Sequence, residues 1–185
     1  GKANPGKLRY SSGSRNNLPH MVIAKALQSY GVVAQNIPYS TDGNAIKDLK
    51  SGVLDFAFVN VGNYLQDKEA YNIMLVLSEL PGAKASYDGA PSIVDLNVYL
   101  GLSGLAPMGW TWWLVKKGTP EDRVQILRDA LKRALDRESV QSGIKSLGFV
   151  PLLFAPEDYA EIVGPVGDQL MGMKDALAWE EEQLS

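Results

Sequence analysis

Residues 8–31 read LRYSSGSRNNLPHMVIAKALQSYG. Leu8 to Ser11 is a short β-like run. Six small or polar residues, Ser12-Gly13-Ser14-Arg15-Asn16-Asn17, separate it from Leu18-Pro19-His20, where a helix begins. Met21, Ile23, Ala24, Leu27 and Tyr30 fall mostly at helical spacing, and Gly31 supplies the stop. The same order then repeats. Val32 to Tyr39 is a strand candidate, Ser40-Thr41-Asp42-Gly43-Asn44 is a second polar loop, and Ala45, Ile46 and Leu49 mark a short helix ending at Gly52. Val53 to Val59 is a third strand, mostly apolar, as a strand covered on both faces should be. This alternation predicts an α/β fold with right-handed β-α-β crossovers, in a mixed sheet whose first three strands are parallel neighbours. In such sheets the ligand crevice lies outside the carboxyl ends of the strands. Both polar loops, and Asn60 after the third strand, fall at such ends.

Further along, Asn63 to Tyr71 reads as helix and Ile73 to Leu77 as a fourth strand. Pro81 to Ser92 reads as a long surface loop and Val94 to Leu102 as a weak strand. Gly109 to Lys116 reads as a strand with Trp110 and Trp112 on one face and Trp113 on the other. Thr119-Pro120-Glu121-Asp122 predicts a helix start, with Thr119 as cap and Pro120 at the first helical position. Val124, Leu127, Leu131 and Leu135 line one face of that helix. A second helix carries Val140, Ile144 and Leu147 and ends at Gly148. Phe149 to Phe154 reads as a short strand, and Pro156-Glu157-Asp158 opens a last long helix, kinked at Gly164-Pro165. Glu180-Glu181-Glu182 reads as a solvated helix end.

Composition narrows the function classes. With 185 residues, 45% of them hydrophobic, 21% charged and a net charge of −3, the chain lacks the basic excess of a general nucleic-acid binder. There is no cysteine, which excludes disulfides, thiol catalysis and Cys-ligated metal sites. A single histidine, His20, leaves no scope for a multi-His metal site. No nucleophile–base pair or metal cluster is visible, so an enzyme is not expected and no cofactor is called for. No apolar run approaches the roughly 18 residues of a membrane span, and no signal peptide is visible. Gly1 to Lys7 reads as a helix end and a turn, so the sequence is expected to be part of a longer protein.

Ser11, Ser12, Gly13, Ser14, Arg15, Asn16 and Asn17 offer hydroxyls, amides and a guanidinium ahead of a helix N-terminus, where free N–H groups favour an anion. Arg15 is suited to bidentate pairing with a carboxylate. The plain alternative is a solvated turn with a helix cap; neither a phosphate-loop nor a dinucleotide pattern is present. Ser40, Thr41 and Asp42 offer a polar contact or a cap, and the two roles are compatible. Asn60 is able to donate to a carboxylate or to cap the next helix. For His20 a structural role, satisfying a backbone group at the helix start, outweighs a ligand contact.

Several of these stretches also carry a family resemblance. Pro5-Gly6-Lys7-Leu8-Arg9-Tyr10-Ser11-Ser12-Gly13, His20, Ile37-Pro38-Tyr39 and residues 45–55, AIKDLKSGVLD, resemble the periplasmic solute receptors of tripartite tricarboxylate transporters, the Bug receptors. Gly118-Thr119-Pro120, Trp110, Leu147-Gly148 and Pro156-Glu157-Asp158-Tyr159 continue the resemblance in order. It implies a two-lobed, periplasmic-binding-protein-like (type II) receptor that closes on a small organic acid or related polar metabolite and delivers it to the permease subunits in the membrane. Residues 1–105 would form the second lobe, and residues 106–185 a crossover strand and C-terminal helices of the first, the rest of which lies outside this sequence. The resemblance carries ligand contact over to Ser11–Asn17, to Ser40, Thr41 and Asp42, and to Asn60.

Two departures stand out. The family's KGG is here Ser40-Thr41-Asp42, and the aspartate of its FDN is Val59. One carboxylate gained and one lost imply a different ligand, with a neutral polyol or an amino-bearing molecule beside the acid. The alternative function is a sensor domain on the same scaffold. The apolar faces of residues 106–185 are expected to drive self-association of the chain, and no nucleic-acid partner is expected.

Overall fold

The central strand of the sheet is β1 (Leu8–Ser11), flanked in parallel by β2 (Ala34–Asn36) and β3 (Phe56–Ala57) in the order β2-β1-β3. The computed structural model describes residues 1–78, 81–98, 100, 113–147, 149, 151 and 153–185. The three expected strands are therefore neighbours in one sheet, and among the described residues every pairing in that sheet is parallel. The expected mixed character is not found in them. Leu8 pairs with Ala34 and Tyr10 with Phe56, so the ladder runs through the tyrosine that ends up fully buried.

Crossover helix α1 (Leu18–Tyr30) starts where expected. The Asn17 side chain accepts from the His20 amide, Pro19 sits in the first turn where its missing N–H costs nothing, and Gly31 closes the helix in the left-handed region at φ 64°. The helix is apolar on two sides. Val22 and Ala26, one turn apart, join a cluster with Ile93, Val98, Leu100 and Met173. Ile23 instead packs with Tyr10 and Ala34 at the sheet. Helix α2 (Asp42–Lys50) returns the chain to β3.

The third strand is shorter than its apolar run. The amides of Val53 and Leu54 both bond back to the Asp48 carbonyl at the end of α2, so those residues cannot join the ladder. Helix α3 (Val61–Gln66) and a 3-10 turn (Lys68–Ala70) occupy the expected helical stretch. The expected fourth strand is reduced to one bridge, Val76 with Ser92. The stretch read as surface loop contains a short helix, α4 (Pro81–Ser86). Ile93–Asn97 is a turn rather than the start of a strand, held by the Leu96 amide on the Ser92 carbonyl. Of the Val94–Leu102 reading, Tyr99, Gly101 and Leu102 lie outside the described residues.

The chain divides into two compact units, Gly1–Gly109 with Glu161–Ser185, and Trp110–Ala160. The C-terminal helix α8 (Lys174–Leu184) packs on α1 within the first unit. In the second unit, α5 (Glu121–Leu135) and α6 (Glu138–Ser146) are neighbours. Helix α5 starts one residue later than expected. Pro120 is its N-cap, and the Thr119 hydroxyl donates to the Lys116 carbonyl instead of capping. Trp113 to Lys116 is not a strand, and Trp113 is exposed; Trp110 and Trp112 lie outside the described residues. The short strand expected at 149–154 is absent among the described residues. Pro156–Asp158 forms a 3-10 turn that leads into α7 (Tyr159–Met171), which carries Pro165 within its length.

Candidate functional site

The two polar loops and Asn60 lie together at the carboxyl ends of the three strands. The Tyr39 amide donates to the Gly13 carbonyl at 3.1 Å, which ties the second loop to the first. Gly13 is in the left-handed region at φ 84°, and a Cβ there would lie 3.4 Å from Asn17 Nδ2 and 3.7 Å from an Asp42 carboxylate oxygen. Asn60 Nδ2 donates to Asp42 at 3.4 Å. Asp42 thus stands where the three segments meet.

The candidates divide by what already occupies them. Ser11 and Ser12 are buried. Ser11 Oγ accepts from the Gly13 amide, and Ser12 Oγ accepts from Asn36 Nδ2. Both serines shape the loop from beneath. Asn17 caps α1 and also donates through Nδ2 to the Ser12 carbonyl. Thr41 caps α2 by accepting from the Asn44 amide, and Asn60 caps α3 by accepting from the Asn63 amide. Ser14, Arg15, Asn16, Ser40 and Asp42 are exposed and present their groups to solvent, with Gly13 between them half-buried.

Arg15 and Asn16 line a cleft of about 570 Å³ with His20, Asn36, Ile37 and, from α8, Leu177, Glu180, Glu181 and Leu184; Ser40 and Asp42 are not among the residues that line it. Two of these residues escaped the reading of the sequence. Asn36 ends β2; its Oδ1 is buried and has no hydrogen-bond partner among the described residues. Its place at a strand's carboxyl end was the available signal. Glu180 is buried rather than solvated. Its Oε2 accepts from the Tyr10 hydroxyl at 2.7 Å, and its Oε1 lies 3.5 Å from His20 Nε2. Three consecutive helical residues are 100° apart, so a run of three acids cannot share one face. Burial, and then the hydrogen bond to Glu180, hold the Tyr10 phenol well above its ordinary titration range. His20 Nδ1 accepts from the Asn16 amide at 2.9 Å, which bears out the structural role expected of this histidine.

Among the described residues no group of three or more His, Asp or Glu side chains is placed to hold a metal ion. None of the described helices is long and apolar enough to cross a membrane. What the geometry defines is a polar rim of hydroxyls, amides, one guanidinium and the Asp42 carboxylate at the end of a parallel sheet.

The tripartite tricarboxylate transporter family receptor (TctC) pattern matches residues 1–170, and the chain belongs to that family of solute-binding receptors. Among curated proteins, it is 24% identical over 160 residues to a UPF0065 protein of Cupriavidus necator and 25% identical over 164 residues to one from a Pseudomonas strain. It is 20% identical over 156 residues to protein BugT of Bordetella pertussis. These alignments cover 84–87% of this chain but 47% of each relative, so the chain spans about half the length of the curated proteins it matches. Among solved structures, one described as a periplasmic transporter superposes with a TM-score of 0.72 at 23% identity, over 100% of this chain and 59% of that one. A TctC solute-binding protein from Polaromonas, crystallised without ligand, gives 0.60 at 17% identity, over 94% and 57%. The likeness in structure establishes the α/β, periplasmic-binding-protein-like fold.

Proposed function

We propose that the chain is part of an extracytoplasmic receptor that captures a small, carboxylate-bearing metabolite and delivers it to the membrane permease of a tripartite tricarboxylate transporter. In this reading residues 1–105 belong to the second lobe of a two-lobed receptor, and the ligand is gripped by Ser14, Arg15 and Asn16 on one loop and by Ser40 and Asp42 on the next. The observation that carries it is the meeting of three polar segments at one end of a parallel sheet, tied by the Tyr39–Gly13 backbone bond, with Arg15 unpaired among the described residues. An unpaired guanidinium beside backbone amides is a natural seat for a carboxylate. Asp42 opposes a second carboxylate close by and favours a ligand with a hydroxyl or amine on that side.

Native mass spectrometry of the full-length receptor identifies the acid it carries. Titration of that acid then checks the grip. Arg15→Ala is expected to weaken binding by about 1.5–3 kcal/mol, or about one to two decades in affinity. Unchanged affinity in a folded variant places Arg15 outside the site and removes the main support for an acidic ligand.

A further inference from the structure

The β1–α1 loop has an unusual support. Asn16 holds a left-handed backbone at φ 59°, a conformation that costs a non-glycine residue energy unless its surroundings fix it. What fixes it is a side chain: the Asn16 amide donates to His20 Nδ1 at 2.9 Å. A ring nitrogen that accepts carries no proton, so the neutral ring must hold its proton on Nε2. That N–H is buried with the ring and faces one acceptor among the described residues, Glu180 Oε1, at 3.5 Å. The other oxygen of Glu180 is held by the Tyr10 hydroxyl at 2.7 Å, and Tyr10 is fully buried in the central strand. The carboxylate is thereby fixed from both oxygens, by β1 and by α1.

We propose that Glu180, on the C-terminal helix, is a positioning residue for the β1–α1 loop: it holds His20 in the tautomer whose Nδ1 grips the Asn16 amide. Without this acceptor the buried Nε2–H loses its partner, the ring is anchored from one side only, and it turns away more readily from the Asn16 amide. The loop then gives up the geometry that presents Arg15. That the loop meets ligand rests on the function proposed above; that Glu180 shapes the loop does not.

Two measurements on the full receptor chain decide it without any ligand. Nitrogen-15 spectra of the His20 ring in the unmodified protein are expected to show the Nε2–H form. A ring protonated on Nδ1, or one averaging between tautomers, overturns the proposal. Amide hydrogen exchange at Asn16 is expected to quicken on the order of tenfold in Glu180→Ala. In Glu180→Gln it should stay within about threefold of the unmodified protein, since the amide oxygen still accepts from His20 and the Tyr10 hydroxyl can accept in turn. The amides of Ile23 and Ala24 report whether α1 stays folded. A folded Glu180→Ala variant with unchanged Asn16 exchange overturns the proposal. If that variant unfolds, Glu180→Leu, which keeps the bulk of the side chain and removes both acceptor oxygens, takes its place with the same two outcomes. Citrate titration separates the two readings. If Arg15→Ala leaves citrate binding unchanged while Asn16 exchange still follows Glu180, the carboxylate reading fails and the positioning role stands.

Discussion

Helices α1 and α5 carry apolar residues at similar spacing and meet opposite fates. Helix α1 buries Val22, Ile23, Ala24 and Ala26 along with His20, between the sheet and a second apolar cluster. Helix α5 has no buried residue at all. Val124, Leu131 and Leu135 are half-covered, and Leu127 is 48% exposed. Helical periodicity shows that a helix has an apolar face; it says nothing about whether the chain itself supplies the cover. For α1 the cover is local in topology, because a β-α-β crossover lays its own helix on its own strands. For α5 no such rule applies.

The sharpest way to break this comparison is to truncate one residue on each helix. Ile23→Ala should destabilise by about 2–5 kcal/mol, as removal of a buried branched side chain does. Leu127→Ala should stay within about 0.5 kcal/mol, as an exposed position does. Urea denaturation followed by circular dichroism measures both. Equal costs would mean that the face of α5 is covered in solution after all.

Such cover has a definite source to test. Trp113, Leu114, Ile126, Leu127, Leu147, Phe149, Leu153 and Phe154 are all exposed within residues 110–160. Apolar surface of more than a few hundred Å² tends to find a partner. Light scattering of the 185-residue chain is therefore expected to give a mass above the 20.1 kDa monomer, falling toward it in Leu127→Glu. A monomer at every concentration would contradict the expected self-association and leave the face open.

The caps offer a finer version of the contrast. Asn17 bonds the His20 amide at 2.8 Å, so Asn17→Ala should cost about 1 kcal/mol. Thr119 makes no cap bond to α5, and Thr119→Ala should cost no more than a few tenths of that. Thermal melts of the two variants compare them directly.

The difference between the two helices also explains what the sequence disclosed. The first sixty residues were legible because turn chemistry, helix stops and apolar runs all pointed to one topology, and the rim residues followed from where loops fall in a parallel sheet. Strand lengths were not legible, because the amides of Val53 and Leu54 are taken by the end of α2, a competition that no periodicity reveals. Ile73–Leu77 failed as a sheet strand because Val76 pairs with residues 91–93 instead. The cap at Thr119 failed because its hydroxyl found a nearer carbonyl behind it. Glu180 escaped because charge composition describes a run, whereas burial depends on which single residue of the run faces inward.

The smallest expected effect concerns an ion pair in the well-covered region. Asp95 accepts from the Ser92 amide at 2.8 Å and the Ser92 hydroxyl at 2.9 Å, and pairs with Lys84 at 2.7 Å. The Lys84 contact first, and then the two bonds from Ser92, lower its pKa to about 2 from an ordinary 3.8. A carboxylate whose folded pKa is depressed adds stability above its unfolded pKa and loses it as pH falls through the folded one. The contribution should therefore be complete above about pH 4 and gone near pH 2. The carboxylate is 40% exposed, so solvent screens the pair and the effect is small. It is best read as a difference in slope. Between pH 4 and pH 2 the melting temperature of Asp95→Asn should fall less steeply than that of the parent chain. Parallel curves would mean that the turn at Ser92 holds its shape without the charge.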